Sequence, residues 1–233
     1  MFSLVVDNFV TNFTKKADAD HLLKSLLEDY EITEDWTWYK YLSLTLKWDH
    51  VRRNVSVSMP GYIKADLLKS QHEATTKPQY SPHRWNQPTY GAKTQYADTD
   101  KADLVDEKST LYVKKVCGTF FYYAIAVDQT MLAALNAISA AQAHKTKTTM
   151  GDIVWLLNYA ATHPNATIQY HASNIILHVA SDASHLCKEQ ARSHARGHFL
   201  SANRLVENGN KPPSLPTNNG AKHTLCQIIN TWL

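Results

Sequence analysis

Cysteine is scarce in this chain of 233 residues: Cys117, Cys187 and Cys226 lie far apart. An odd, widely spaced set argues against a disulfide scaffold or a zinc module, and it suits a reducing, intracellular compartment, cytoplasmic or nuclear. Long apolar runs are missing too. The stretch from Phe120 to Val127 is among the longest, far short of the roughly 20 residues a membrane-spanning helix needs. No basic segment followed by an apolar one opens the chain, so neither a secretory leader nor a membrane partner is expected. An excess of one charge is lacking as well. With 24 basic and 21 acidic residues the formal charge is +3, which excludes a histone-like polycation and leaves room for a local basic groove. Twelve histidines are present, but none has a ligand spacing with the cysteines.

What is present is an ordinary share of hydrophobic residues, 44%, enough to bury a core. Residues 2–13 alternate short runs rich in Val and Phe around Asp7-Asn8. Val, Phe and Leu favour strands, and Asp-Asn is a favoured turn pair, so a β-hairpin with Asp7 at its tip is predicted. Leu22, Leu23, Leu26 and Leu27 then form a helical stripe behind an acidic start at Asp18 and Asp20. From Glu31 to Met59 the period becomes two. Tyr41, Ser43, Thr45 and Lys47 alternate with Leu42, Leu44, Leu46 and Trp48, and a polar turn over 49–54 leads into Val55–Met59, a second hairpin. Pro60-Gly61 closes it before a short helix over Tyr62–Ser70.

Half of the eight prolines fall between positions 60 and 88, and residues 71–103 read as a linker or strap pinned by Tyr80, Trp85, Tyr90 and Tyr96. Residues 104–165 are helical. Leu111, Val113, Val116, Phe120, Tyr123 and Val127 predict one buried helix, the Ala-rich stretch Met131–Ala143 a second, and Thr149-Met150-Gly151-Asp152 caps a third that ends at His163-Pro164-Asn165. Residues 166–233 return to strands: Ala166–Tyr170, Ile175–Ala180 running into Ser181-Asp182-Ala183-Ser184, Ala195–Ala202, and Thr224–Trp232, whose edge would be an aggregation hazard. The fold class is α+β. Asp7 and Asp182 share a setting at predicted strand ends, where carboxylates make good hard-cation ligands.

The order of these pieces resembles the reverse transcriptase–ribonuclease H region of copia-type retrotransposon polyproteins. Leu4-Val5-Val6-Asp7-Asn8-Phe9 resembles the catalytic palm hairpin. Lys40–Leu46 followed by Met59-Pro60-Gly61-Tyr62-Ile63 resembles the hairpin that grips the primer strand. Val116–Ala124 and Leu157–Ala160 resemble thumb or connection helices. Ser181–Ser184, Arg192-Ser193 and Gly197–Leu200 resemble the first strands of ribonuclease H. The resemblance implies four parts: a partial palm over 1–70, the strap, thumb helices over 104–165, and a truncated ribonuclease H-like three-stranded sheet over 166–233. It implies Mg2+ as cofactor, with Asp7 and Asp182 as metal ligands and Asp7, Asn8 and Asp182 at the catalytic carboxylate positions. It also implies an RNA–DNA hybrid or DNA as partner, touched by Lys40, Tyr41, Lys47, Met59 and Gly61.

The departures weaken that chemistry. Two-metal nucleotidyl transfer uses three palm carboxylates; one is expected upstream of Phe2, and the position after Asp7 carries the neutral Asn8. A charge lost about 4 Å from a divalent ion forfeits roughly 4 kcal/mol per unit charge of the ion at an effective dielectric of about 20, and about 4 kcal/mol alone is on the order of a thousandfold in rate. The remaining ribonuclease H carboxylates are expected beyond Leu233, and Arg196-Gly197-His198 replaces a Gly-Gly-Tyr pattern. Trp38 and Ser43 stand where relatives carry glycine. The expectation is therefore a fragment or remnant without activity of its own. One alternative is a non-catalytic nucleic-acid-binding module that uses Lys15, Lys16, Lys40, Lys47, Arg52 and Arg53 on phosphates and Trp36, Trp38 and Tyr39 for stacking. Another is a metal nuclease built on Asp182 with Glu189 or Glu207.

Overall fold

The computed structural model describes residues 2–5, 8–11, 13–73, 76–84, 100–141, 145–173, 176–185 and 193–202. Over these residues helices and antiparallel sheets mix, as the α+β reading requires. The first Val- and Phe-rich runs pair as β1 (Phe2–Val5) and β2 (Asn8–Thr11), with Phe2 opposite Thr11 and Val5 opposite Asn8. Asp7, assigned to the tip between them, lies outside the described residues. The helical stripe is α1 (Lys16–Leu27), with Asp18 in its first turn, where the helix dipole favours an acid. Leu22, Leu23 and Leu26 are half-buried and Leu27 is exposed.

The central sheet has four antiparallel strands in the order β3 (Lys40–Tyr41), β4 (Leu44–Asp49), β5 (Asn54–Ser58) and β6 (Thr167–His171). Two sequence expectations need correction here. The alternation from Tyr41 to Trp48 is not one strand, because a two-residue turn at Leu42-Ser43 folds β3 back onto β4, Tyr41 opposite Leu44. The strand after the helices was placed in a ribonuclease H-like sheet, but it pairs along its length with β5, from Asn54 opposite His171 to Ser58 opposite Thr167. Period-two patterning shows that a strand exists and is silent about its partner.

The helices are α2 (Tyr62–Lys69), α3 (Glu107–Ala126), α4 (Leu132–Ala140), which follows a 3₁₀ turn at Gln129–Met131, and α5 (Lys147–Thr162). Val113, Val116, Phe120 and Tyr123 of α3 meet Leu135 and Ile138 of α4 and Ile153, Leu156 and Leu157 of α5 in one core. Met59 and Ile63 enter that core from the end of β5 and from α2. Leu111, expected on the buried stripe, is 67% exposed. Two residues before Val113 on a helix turning about 100° per residue, it lies far round the surface from it.

Helix α5 begins a turn earlier than Thr149 suggests. Thr146 is its N-cap, and Thr149 sits three residues on: the Thr149 amide donates to Thr146 Oγ1 at 3.3 Å and the Thr146 amide to Thr149 Oγ1 at 3.4 Å, a capping box. Thr146 Oγ1 also donates to Asp100, and Lys147 Nζ reaches Asp103 at 2.7 Å, which ties residues 100–103 to this helix start.

Within the stretch read as a linker or strap, residues 79–84 are held by other means than the aromatics named for it. Tyr80 is 77% exposed, and its ring lies 6.0 Å from that of His163, tilted by 59°. Trp85, Tyr90 and Tyr96 lie outside the described residues. The strap is held instead by α5: Trp155 Nε1 donates to the Ser81 carbonyl at 3.0 Å, the Gln79 amide donates to Thr162 Oγ1 at 2.9 Å, and Arg84 lies over the Trp155 ring with Asp152 3.7 Å away. Farther on, β7 (Ile176–Ser184) and β8 (His194–Ala202) form a nine-pair antiparallel hairpin. The strand expected over 224–232 lies outside the described residues. No helix among them is long and apolar enough to cross a membrane.

Two predictions follow from the packing. Thr146→Ala removes both the cap and the bond to Asp100, so urea denaturation is expected to show a loss of about 1–2 kcal/mol; an unchanged midpoint contradicts this role for Thr146. Asp66 of α2 is 3% exposed, and its Oδ2 has no hydrogen-bond partner among the described residues, while Lys69 Nζ lies 3.5 Å from Oδ1. Burial raises its carboxyl pKa, and Lys69 offsets part of the rise. A raised folded-state pKa means that the folded state holds this proton more tightly, so the contribution is full at low pH and is lost as pH rises through the folded value. Asp66→Asn is therefore expected to gain stability relative to the native chain as pH climbs from the carboxylate range to neutrality. A pH-independent difference contradicts the assignment.

Candidate nucleic-acid interface

Residues directly opposite each other in an antiparallel pair project to the same face, and alternate residues to opposite faces. The register therefore sorts the central sheet. One row runs Lys40, Thr45, Ser58, Thr167 across all four strands, and the next runs Lys47, Ser56, Gln169 across β4, β5 and β6. This face carries cations, hydroxyls and an amide. The other face carries Tyr41 with Leu44, Leu46 with Val57 and Ile168, and Trp48 with Val55 and Tyr170. The Val, Leu and Ile positions of β4–β6 thus turn one way, while Lys, Ser and Thr turn the other, and the sheet is amphipathic.

Lys40 and Lys47 are exposed, and neither is ion-paired with an acid among the described residues. Asp49, the acid in the adjoining row, is engaged at the hairpin tip: its Oδ1 accepts the Arg52 amide at 2.8 Å and its carboxylate faces the Arg52 guanidinium at 3.8 Å. Such a face can accept an extended anion. Lysines supply mobile point charges, and Ser and Thr hydroxyls donate to phosphate oxygens.

The five residues expected to touch a primer strand do not act as one set. Lys40 and Lys47 share the polar face. Tyr41 is half-buried and belongs to the opposite face. Met59 is 2% exposed and packs in the helical core, so it is a structural residue. Gly61, at φ +80°, turns the chain from the sheet into α2, where an L side chain would be strained, and it is exposed.

The carboxylate positions are placed less closely than expected. Asn8 begins β2 opposite Val5. Asp182 does not end a strand: β7 continues to Ser184, and Asp182 lies within it opposite Arg196, exposed. Cross-strand pairing overrides the turn-like composition of Ser181–Ser184. A single carboxylate offers two oxygens where Mg2+ wants six, and no three His, Cys, Asp or Glu side chains converge among the described residues. The described residues do not by themselves fit the metal site that the resemblance implies. Glu189 and Glu207 lie outside them.

A feature the sequence reading missed lies on the opposite face toward the hairpin tip, where Trp48 stands in the row of Val55 and Tyr170. The Trp38 and Trp48 rings stack at 5.2 Å and 26°, and the Trp48 and His50 rings at 6.1 Å and 5°. Trp48 Nε1 donates to the Trp38 carbonyl at 3.2 Å. The signal was the turn at Leu42-Ser43, which brings position 38 back beside position 48. Trp36, grouped with Trp38 for stacking, instead sits under Lys16 and edge-on to Phe13. Trp38 and Ser43, the two positions where glycine was expected, both have positive φ, +48° and +66°, and Leu42 is at +49°. Positive φ at both central residues marks the type I′ hairpin turn, which favours Asn-Gly. The Tyr122 hydroxyl of α3 donates to the Leu42 carbonyl and braces this turn. No protein-family model, curated protein or solved structure matches the chain.

Ser43 is exposed, so little packing opposes its replacement. Ser43→Gly is expected to raise the melting temperature through a gain of about 1 kcal/mol from relief of the left-handed backbone. A lower melting temperature contradicts the turn assignment.

Proposed function

We propose that this chain is a fragment or remnant of a copia-type retrotransposon RNA-directed DNA polymerase–ribonuclease H polyprotein that binds nucleic acid without polymerase or nuclease chemistry of its own. The observation that carries the binding part is the polar face of the central sheet, where Lys40 and Lys47 stand among Thr45, Ser56, Ser58 and Thr167. Two further features support the polyprotein reading. The hairpin that resembles a primer grip is built on a helical bundle that resembles a thumb, and the backbone at positions 38 and 43 adopts the conformation that the resemblance assigns to glycine. For the lack of chemistry, the support is Asn8 in place of an acid and Asp182 on an open strand opposite Arg196.

An RNA–DNA hybrid is the ligand this reading favours, held through its phosphates. Counterion release makes such binding weaken linearly with the logarithm of salt concentration, with a slope that counts the neutralised phosphates. The purified chain is expected to bind a hybrid at low salt. The double variant Lys40→Gln, Lys47→Gln should bind less tightly, with a slope shallower by roughly one per lysine lost. Affinity and slope unchanged by the double variant remove this face from the interface. Primer extension or strand nicking in Mg2+ by the chain alone contradicts the non-catalytic part.

A further inference from the structure

We infer that the Trp38–Trp48–His50 ladder is a base-stacking site for an unpaired nucleic-acid strand, set toward the hairpin tip on the face of the central sheet opposite Lys40 and Lys47. This rests on the nucleic-acid reading above and adds a ligand class to it, the flat unpaired base.

Three observations carry the inference. The rings form a column: Trp48 lies 5.2 Å from Trp38 and 6.1 Å from His50, with planes 26° and 5° apart. Parallel rings at such spacings continue naturally into another flat π-system, and bases of every kind have π-faces. The column is open, since Trp38 and Trp48 are each 38% exposed and His50 is exposed. Burying an indole is favourable, so two half-open indoles held together on a sheet edge present surface for a partner.

The column is also held in place. The single indole donor of Trp48 is used on the Trp38 carbonyl at 3.2 Å, which locks the two rings together. Trp38 sits at φ +48°, a costly conformation for a large side chain, and it is held there beside a turn braced by Tyr122. A pre-organised pair of rings loses little freedom when a base stacks on it.

Charge selects the occupant. Arg52 and Arg53 follow His50 in the same hairpin tip. Asp49 is the acid among them, and it is occupied by Arg52. Aromatic rings interleaved with cations fit a polyanion that carries flat rings, which is what a single strand offers and a fully paired duplex does not. The ladder would take the bases of an unpaired extension that passes round the Arg52-Arg53 hairpin tip from a hybrid lying on the polar face.

The test uses the full chain at low salt with three probes: a blunt RNA–DNA hybrid, the same hybrid with an unpaired extension, and that hybrid with an abasic extension of equal length. The inference predicts that the base-bearing extension binds roughly tenfold or more tighter than the abasic one and quenches tryptophan fluorescence. Trp48→Leu is expected to abolish that difference while leaving blunt-hybrid affinity and its salt slope in place. His50→Ala, a change at an exposed hairpin tip, should reduce the difference without affecting the fold. Equal affinity for base-bearing and abasic extensions overturns the stacking site and leaves hybrid binding intact. Failure to bind any of the three probes overturns the nucleic-acid reading and the inference with it. Self-association that requires Trp48, with no preference for bases, assigns the ladder to contact between copies and also overturns the inference.

Discussion

The pairing of β5 with β6 is the constraint on which the rest of this protein depends. A two-stranded hairpin is marginal alone. Here the hairpin formed by residues 44–58 gains a third long partner from a segment more than a hundred residues away, and that segment leaves α5 directly. Val57 opposite Ile168 and Val55 opposite Tyr170 zip the apolar side, and the Ala172 amide extends the ladder by donating to the Arg53 carbonyl at 2.9 Å. On the bundle side, the buried Tyr123 hydroxyl accepts the Ala166 amide at 3.1 Å, just before β6 begins. Met59 and Ile63 plug the same end of the sheet into the helical core. The polar face is consequently mounted on a rigid support, which is what positions lysines and hydroxyls as a surface and not as scattered charges.

The same constraint explains where strain collects. Of the five non-glycine residues with positive φ among the described residues, Trp38, Leu42, Ser43 and Arg53 lie in or beside the loops of this sheet, and Gln71 follows α2. With β4 fixed against β5 and β5 against β6, the short β3 can pair only by a tight turn, and its two central residues must adopt left-handed conformations that Leu and Ser do not favour. Tyr122 reaches from α3 to stabilise the result. Strain of this kind persists when the surroundings over-determine it. Here the surroundings also align Trp38 with Trp48. The chemistry this offers is recognition: cations, hydroxyls and stacked rings on a fixed sheet, with the buried acids Asp66 and Asp128 serving structure. Asp128 caps the 3₁₀ turn through Thr130, and Thr130 is bonded in turn to Tyr159 at 2.8 Å.

Much of the local structure could be read from residue order. The first hairpin, the short helix after Pro60-Gly61, the buried stripe of α3 and the stop at His163-Pro164 all follow from period and punctuation. The errors share a cause, which is that local pattern carries no information about distant partners. β6 looked like the start of a separate sheet because Thr167–His171 reads the same whether it pairs with β5 or with β7. Ser181–Ser184 looked like a strand end because its small polar residues suit turns, yet pairing with residues 194–197 keeps it extended. Met59 looked like a surface contact because the resemblance treats 59–63 as one motif, while its place at the sheet's end sends it into the core. Of the candidate site, Lys40 and Lys47 were legible as exposed cations on alternating strands. Their common face was not, because it depends on the Leu42-Ser43 turn that resets the alternation.

The central claim is that nucleic acid lies across the polar face of the four-stranded sheet. Lysine-acetylation footprinting of the whole chain, with and without an RNA–DNA hybrid, tests it most directly. The account predicts that Lys40 and Lys47 lose reactivity together on binding, while Lys24 on α1 and Lys114 on α3 keep theirs. Protection of the helical lysines with Lys40 and Lys47 left fully reactive would contradict it.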